Sequence, residues 1–302
     1  MASKPGVASN VAIGSSSLEK VRRAMRASAR SIWMSHDGDL PPEIYHYTDA
    51  TGLAGILHSK RIWASDVLFL NDRSELMYAE GIIKSVLRSM SGTVPRKLLD
   101  MLSNKVRFLG EDRDFHLYAT CFCTERNLLS QWRGYGRSGG FALQVDPFVL
   151  IKAAKKVARG PGSVAGFVKI EYVAEAQRRI ARSLIDSFAN DMGNVRKQHE
   201  DRILSECISY LGAAMVRFKH PAFRQENEWR LVIRREARTA EFGTRDGLLV
   251  PYLAIPFPKI ALLRLMVGPS THVSLVRRSL VHALLSIGWP GLEVDASRTP
   301  LR

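Results

Sequence analysis

Cysteine is scarce in this sequence, with three residues among 302, and their number is odd. Cys121 and Cys123 lie two positions apart, but no further cysteine or histidine stands at a spacing that would complete a zinc site. We therefore expect reduced thiols with structural roles and no resident metal.

Long hydrophobic runs are also missing. The longest apolar stretches, such as residues 260–267, are too short or too often interrupted by charge to span a bilayer, and no signal-peptide pattern opens the chain. There is no internal repeat, and the glycines within residues 133–136 lack the spacing of a Walker or Rossmann phosphate loop. We expect a cytoplasmic protein that does not bind membranes.

Positive charge is abundant, because 44 lysines and arginines face 29 aspartates and glutamates and give a formal net charge of +15. Such a surplus favours a polyanionic partner, such as nucleic acid or a phosphorylated cofactor, although proteins that bind neither can also carry it. In residues 1–41 a Ser- and Gly-rich stretch precedes a basic segment. This composition predicts a flexible basic N-terminal extension.

The pattern of residues 42–302 predicts a single α+β domain with a helical insert around residues 147–217. Asp72 and Glu75 have the spacing of a capping box, which predicts a helix that runs to about residue 90. Extended and alternating stretches predict strands at residues 44–47, 61–65, 115–123, 139–145, 168–172, 228–234, 248–254, 260–267 and 292–294. We expect the strand at 139–145 to pair antiparallel with that at 115–123, with residues 128–136 as the loop between them.

The first polar cluster is the segment from Tyr45 to Thr48. On a strand, His46 and Thr48 share one face, where a histidine and a hydroxyl can bind the two hydroxyls of a ribose. The alternative is a half-buried structural histidine with satisfied hydrogen bonds.

A second cluster lies in residues 130–136. Trp132 and Tyr135 offer flat faces for stacking on a nucleobase or a nicotinamide ring, and Arg133 offers a planar fork for phosphate. A structural tryptophan that anchors a loop is the alternative.

Glu226 and Glu228 form the third cluster, at the predicted start of a strand, where their i, i+2 spacing places both carboxylates on one face. Such a pair suits transfer chemistry at a sugar carbon, with one carboxylate stabilising an oxocarbenium ion and the other orienting or deprotonating the acceptor. A solvated acidic edge balanced by Arg224 and Arg230 is the alternative.

Taken in chain order, these motifs resemble a bacterial family catalogued as domain of unknown function 2971. The resemblance covers roughly residues 43–270. The segments that carry it are Tyr45-His46-Tyr47-Thr48, Ile62-Trp63-Ala64-Ser65, Leu70-Asn71-Asp72 with Glu75, Cys121-Phe122-Cys123, Gln131-Trp132-Arg133-Gly134-Tyr135 and Glu226-Asn227-Glu228-Trp229-Arg230-Leu231.

The order of the polar motifs is also similar to that of ADP-ribosyltransferases, which implies a split, mainly antiparallel sheet with flanking helices and NAD as the substrate. By this resemblance His46 and Thr48 would hold the ribose and amide of NAD, and Glu228 would be the catalytic carboxylate. Glu226 would orient the acceptor, and Ser65 would take the second-strand position. The chain departs from the pattern in two ways: a Ser-Thr-Ser motif is missing, and the bulky Tyr47 stands where some relatives place a small residue against nicotinamide.

Three functional hypotheses follow. The first is an NAD-dependent ADP-ribosyltransferase, of the toxin or anti-phage defence type, that cleaves the nicotinamide glycosidic bond and modifies a nucleic acid or a protein. The second is a non-catalytic nucleic-acid-binding module that uses Trp132, Tyr135 and neighbouring arginines. The third is a metal-dependent nuclease with Asp72, Glu226 and Glu228 as oxygen ligands.

Overall fold

A computed structural model describes residue 23 and residues 39–70, 73–106, 116–135, 140–160, 163–192, 197–235, 240–245 and 247–299. Most of the predicted N-terminal extension and the predicted capping residue Asp72 lie outside these described residues. The chain divides into two compact units, the first made of residues 1–34, 74–112 and 173–218 and the second of residues 35–73, 113–172 and 219–302. The predicted helical insert is therefore shared between the two units.

Amphipathic segments form most of the helices. Those longer than one turn are α1 (Ala50–Ser59), α2 (Arg73–Ser89), α3 (Arg96–Val106), α4 (Leu129–Tyr135), α5 (Pro147–Val157), α6 (Ala174–Met192), α7 (Glu200–Met215) and α8 (Val273–Ser286). Within the described segments, short 3-10 helices lie at Val67–Phe69, Lys197–His199, Pro221–Glu226 and Lys259–Ala261. No helix among the described residues is both long enough and apolar enough to cross a membrane.

The strands form one mostly antiparallel sheet. They are β1 (Ile44–Thr48), β2 (Arg61–Asp66), β3 (His116–Cys123), β4 (Phe141–Val145), β5 (Val164–Lys169), β6 (Glu228–Arg235), β7 (Glu241–Arg245), β8 (Leu248–Pro256), β9 (Leu262–Val267) and β10 (Val294–Ala296). The order along the sheet is β10-β9-β4-β1-β3-β2-β8-β7, and β6 pairs with both β3 and β5. The fold is thus α+β, as the sequence predicts.

The first unit is helical in its described part. Helix α7 packs against α3 and α6, and the rings of Phe188 and Tyr210 lie 6.4 Å apart at the contact between α6 and α7. The Tyr78 hydroxyl on α2 donates a hydrogen bond to Gln177 on α6 at 2.9 Å. None of the predicted site residues lies in this unit.

The second unit contains the whole sheet, and its larger core covers one face, here called the helical face. Helices α1, α5 and α8 supply buried side chains to this core, among them Leu53, Leu150 and Leu280. Burying a leucine or similar side chain contributes about 1.5–3 kcal/mol. The many such residues on this face therefore explain why the strands alternate as the sequence predicts.

The opposite face carries a smaller apolar cluster around Trp132, and we call it the Trp132 face. Its buried members are Tyr45, Tyr47, Cys123, Trp132, Ala142 and Met266. Trp132 lies on α4 rather than in the predicted loop, and its indole nitrogen donates to Asn127 at 2.8 Å. The apolar pair Leu128 and Trp132, four residues apart, is the helical signal that the loop prediction overlooked.

The strand at the predicted position 139–145 is present as β4, but the predicted pairing with β3 is wrong. Strand β4 pairs with β1 and β9. One edge of β3 is taken by β6 along its full length. The other edge is shared by β1 and β2, so β3 has no edge left for β4. Strand β7 was not predicted, because its mostly exposed residues lack apolar alternation.

We expect Gly268→Ala to destabilise the protein, because an added Cβ would lie 2.7 Å from the Trp132 ring and 3.0 Å from the Gly140 carbonyl oxygen. Overpacking of this kind costs about 1–3 kcal/mol. Gly55→Ala on α1 is the matched control, since nothing lies within 4 Å of its added Cβ. The control should stabilise by about 0.5–1 kcal/mol. Urea unfolding measures the free energy of unfolding of both variants. Equal changes in the two variants would contradict the close packing of Trp132 against Gly268.

Candidate functional site

The sheet is split where β1 and β2 meet the same edge of β3. Strand β1 pairs with β3 only through Tyr45 and Cys123, and β2 pairs with it through the residue pairs Ser65–Ala119 and Asp66–Tyr118. Residues 120–122 therefore have no strand partner on this edge, and we call them the β3 gap. Backbone groups in such a gap need other partners.

Side chains close part of the β3 gap. His46 Nδ1 lies 2.9 Å from the carbonyl oxygen of Cys121, and the Thr120 hydroxyl donates to the carbonyl oxygen of Trp63 at 2.8 Å. A carbonyl only accepts, so Nδ1 carries the proton, and burial keeps the pKa of His46 below its ordinary value. His46 is thus a neutral imidazole at the edge of β3.

A buried charge cluster of the second unit lies at the start of β6. Lys219 Nζ donates to Glu226 at 2.5 Å and to Glu228 at 2.9 Å. Arg230 donates to the two oxygens of Glu228 from Nε at 2.6 Å and from its terminal nitrogen at 3.1 Å. Lys219, Glu228 and Arg230 are all buried, so these are ion pairs held away from solvent.

Local backbone geometry brings the two glutamates together. Glu226 ends the 3-10 helix Pro221–Glu226, and Asn227 then adopts a left-handed conformation with φ 42° before β6 begins at Glu228. The Asn227 side chain donates to the Thr124 hydroxyl, which holds the turn. The prediction that both glutamates lie on one strand face is wrong, because only Glu228 belongs to the strand. The two carboxylates meet instead through Lys219.

Burial alone would raise the pKa of Glu228, but the charges of Arg230 and Lys219 outweigh it. Together they lower the pKa from 4.5 to about 2. The backbone NH of Glu228 also donates to the Tyr172 hydroxyl at 3.0 Å. Glu228 is therefore a fixed, ionised carboxylate at neutral pH.

Cys121 connects this cluster with the β3 gap. Its carbonyl receives the His46 contact. Burial raises the pKa of its thiol, and the adjacent Glu228 carboxylate raises it further, partly through a side-chain hydrogen bond. Two predicted site residues, His46 and Glu228, thus contact one cysteine, His46 at its carbonyl oxygen and Glu228 at its thiol.

The strand register assigns the predicted residues of β1 to different faces. His46 and Thr48 stand opposite Leu143 and Phe141 of the helical-face core, and the His46 ring lies 5.6 Å from that of Phe122. Glu228 stands opposite Cys123, on the Trp132 face. His46 and Glu228 therefore approach Cys121 from opposite faces of the sheet.

Two other predicted residues, Tyr47 and Trp132, belong to the core of the protein, whereas Arg133 is exposed. Tyr47 is buried, and its hydroxyl donates to the Glu125 carbonyl at 2.8 Å and accepts from the Leu128 amide. Trp132 is buried edge-on against Tyr47, with ring centroids 4.6 Å apart. Arg133 is exposed on α4, which ends at Tyr135. The sequence motif thus divides into two core aromatics and an accessible end of α4.

Thr48 and Ser65 mark the strand ends on either side of the β3 gap. Thr48 precedes Asp49, which caps α1, and its hydroxyl lies so close to Gly52 that a Cβ there would approach it to 2.1 Å. Ser65 stands opposite Ala119, on the same face as Cys121. Ser65 therefore lies on the Trp132 face, as Glu228 does.

Lys219 and Cys121 were missed as site residues by sequence reasoning. Lys219 lies seven residues before Glu226, in a segment without regular periodicity, and nothing in the sequence indicates that it is buried. Cys121 was assigned a structural role because it has no partner cysteine. Among the described residues, no group of three or more His, Cys, Asp and Glu could hold a metal ion.

Comparison with known proteins gives one match. Residues 131–231 match the family described as a protein of unknown function (DUF2971). The resemblance to this family is therefore confirmed over a segment that contains Tyr135, Lys219, Glu226 and Glu228. No curated protein and no solved structure matches the chain.

The ionised Glu228 should make stability pH-dependent. Its pKa is lowered from 4.5 to about 2 on folding, so its contribution is complete above its unfolded pKa and is lost as the pH falls toward 2. At neutral pH, Glu228→Gln should cost about 3–5 kcal/mol, because Lys219 and Arg230 lose a buried partner. Urea unfolding across this pH range measures both effects.

The double variant Lys219→Met with Glu228→Gln is the control, because it removes one of the two cations that lose Glu228 as a partner. It should recover part of the stability that Glu228→Gln loses. If the wild type and Glu228→Gln lose stability equally steeply in acid, Glu228 is not held ionised in the way described.

Proposed function

We propose that this protein is an ADP-ribosyltransferase-like enzyme that uses NAD and has its reaction centre around Glu228. The observation that supports this most directly is the buried, ionised carboxylate of Glu228, which Arg230 holds and which shares Lys219 with Glu226. A split sheet with a histidine on its first strand and a Glu-x-Glu segment at a late strand is the arrangement that the motif order implies. The gap that β1 and β2 leave along β3 agrees with that arrangement.

In the proposed reaction Glu228 stabilises positive charge. The bond between ribose C1′ and the nicotinamide nitrogen breaks, and its electron pair leaves with neutral nicotinamide. The ribose becomes an oxocarbenium-like cation, and a fixed carboxylate nearby lowers its energy. Glu228 suits this role because the charges of Arg230 and Lys219 keep it ionised.

Glu226 and His46 take the remaining roles. The acceptor's lone pair forms the new bond to C1′, and its proton passes to Glu226, which is more exposed than Glu228 at 17% against 6% of the side chain. His46 has its Nδ1 proton committed to Cys121. Because His46 lies on the opposite face of the sheet from Glu228, its proposed role is to fix the β3 gap at Cys121.

Fewer residues are assigned to direct contact with NAD than the sequence motifs imply. Ser65, Arg133 and Tyr135 remain in the proposed NAD site, because they border the β3 gap on the Trp132 face or lie at the accessible part of α4. Thr48 is left out of direct contact, since it lies on the helical face. Tyr47 and Trp132 are left out of direct contact, since both are buried and hydrogen-bonded to the protein itself. They support the site by fixing α4 against β1.

The two alternatives gain less support. A nucleic-acid-binding module was expected to stack bases on Trp132, but only 4% of that residue is exposed. A metal-dependent nuclease needs carboxylates that accept a cation, whereas Glu226 and Glu228 are already paired with Lys219. The net charge of +15 instead favours nucleic acid as the acceptor of ADP-ribose. An enzyme of this kind would act as a toxin or a defence effector.

We expect the purified protein to release nicotinamide from NAD, and Glu228→Gln to abolish that release because the amide carries no negative charge. Chromatography of the nicotinamide formed measures turnover. Urea unfolding of Glu228→Gln under the assay conditions shows whether the loss reflects unfolding. Glu241→Gln on β7, whose carboxylate is half exposed, should keep wild-type turnover.

Two results would count against the enzyme. Wild-type turnover in Glu228→Gln would remove Glu228 from the mechanism. A wild-type protein that releases no nicotinamide, with or without added DNA, RNA or protein acceptors, yet binds nucleic acid with steep salt dependence, would favour the binding module.

A further inference from the structure

We propose that Lys219 is a positioning residue that holds Glu226 and Glu228 as one catalytic pair and yields its contact with Glu228 to the substrate. This inference rests on the function proposed above. Lys219 belongs to none of the motifs that carry the family resemblance. Its role follows from its geometry between the two carboxylates.

Contacts hold both the backbone and the ammonium group of Lys219 in place. Its backbone NH donates to the Glu171 carbonyl at 3.2 Å, and its ammonium group lies 5.1 Å from the centre of the Phe223 ring. Only 8% of its side chain is exposed. A lysine that is anchored and desolvated in this way keeps a definite geometry, unlike the mobile lysines of a protein surface.

The Lys219 ammonium group lies between the two carboxylates and stabilises the ionised form of both. Like charges at close range raise each other's pKa, and a shared cation reverses that effect. Lys219 Nζ lies within 2.5 Å of Glu226 and 2.9 Å of Glu228. Both carboxylates can therefore stay ionised, one to stabilise the cationic sugar and the other to accept the proton of the acceptor.

The contact between Lys219 and Glu228 is also replaceable. Arg230 holds both oxygens of Glu228, so the carboxylate keeps its orientation when another donor takes the place of Lys219. Lys219 keeps its ion pair with Glu226 meanwhile and is not left as an isolated buried charge. A ribose hydroxyl of NAD can thus take the place of the ammonium group at Glu228 while Arg230 holds the carboxylate.

Several groups besides Lys219 act on the ionisation of Glu228, from each element packed against it. Arg230 lies on the same strand, and the others lie on β3, on α4, before α6 and at the end of a 3-10 helix. Among the described residues, the titratable groups coupled to Glu228 or to its partner Lys219 include Arg230, Glu226, Cys121, Cys123, Tyr135 and Tyr172, besides Lys219 itself. Of these, Lys219 and Arg230 are the cations, so removing Lys219 should raise the pKa of Glu228.

The test compares Lys219→Met and Lys219→Arg with the wild type in NAD turnover. We expect Lys219→Met to lower kcat by about 10²-fold, the scale of a misplaced catalytic group, with KM changed only a few-fold. The acid limb of its pH–rate profile should move to higher pH by about 1–3 units, because Glu228 loses one of two neighbouring cations. Lys219→Arg should restore part of kcat and return the acid limb of the profile toward its wild-type pH. Lys152→Met, at an exposed position of α5, is the matched control.

A purely structural lysine would behave differently. If Lys219→Met lowers kcat while the acid limb stays in place, or if Lys219→Arg restores nothing in a folded protein, the positioning role is overturned. Unchanged kcat in Lys219→Met would overturn it as well.

A second measurement separates this inference from the proposed function. Carbon-13 NMR titration of the Glu228 carboxyl, assigned with Glu228→Gln, needs no turnover. If the wild type releases no nicotinamide, the proposed function fails, and the catalytic role of Lys219 fails with it. A higher Glu228 pKa in Lys219→Met would then show that Lys219 stabilises the ionised Glu228 carboxylate even though the protein does not turn over NAD. An unchanged Glu228 pKa would show that Lys219 does not stabilise that carboxylate, whether or not NAD is consumed, and would overturn the inference.

Discussion

The buried carboxylate of Glu228 between Lys219 and Arg230 is the interaction on which the site depends. A charge removed from water is costly unless ion pairs and hydrogen bonds compensate for it. Here both carboxylate oxygens are paired, and the residue's backbone NH is bonded to Tyr172. These contacts fix the start of β6, and β6 in turn takes one whole edge of β3.

Because β6 occupies that edge, β1 and β2 must share the other one, and the sheet opens between them. The open edge exposes backbone that side chains from β1 and β3 have to satisfy, as His46 and Thr120 do. A binding site can form here because the sheet holds the edges of the gap rigidly while the gap itself lacks a strand. The charge cluster and the split are therefore two parts of one arrangement that meets at Cys121.

Much of the fold could be predicted from local patterns. The alternation in β1, β3, β6 and β8 and the spacing of Leu53, Ile56 and Leu57 in α1 are direct consequences of a core on one side of each element. Prediction failed where long-range competition decided the outcome. The partner of β4 depended on which edges of β3 were free, and the helix around Trp132 depended on an apolar cluster formed by residues of β1, β3, β4 and β9.

The sequence by itself determined the residue types of the site and their order, with a histidine on an early strand and a Glu-x-Glu segment before a late one. It also determined the positive net charge. Only the tertiary structure decided that Trp132 belongs to the core, that His46 and Glu228 approach Cys121 from opposite faces, and that Lys219 joins the two glutamates. The physical reason is that burial and ion pairing depend on which distant segments pack together, whereas periodicity reports only which side of an element is apolar.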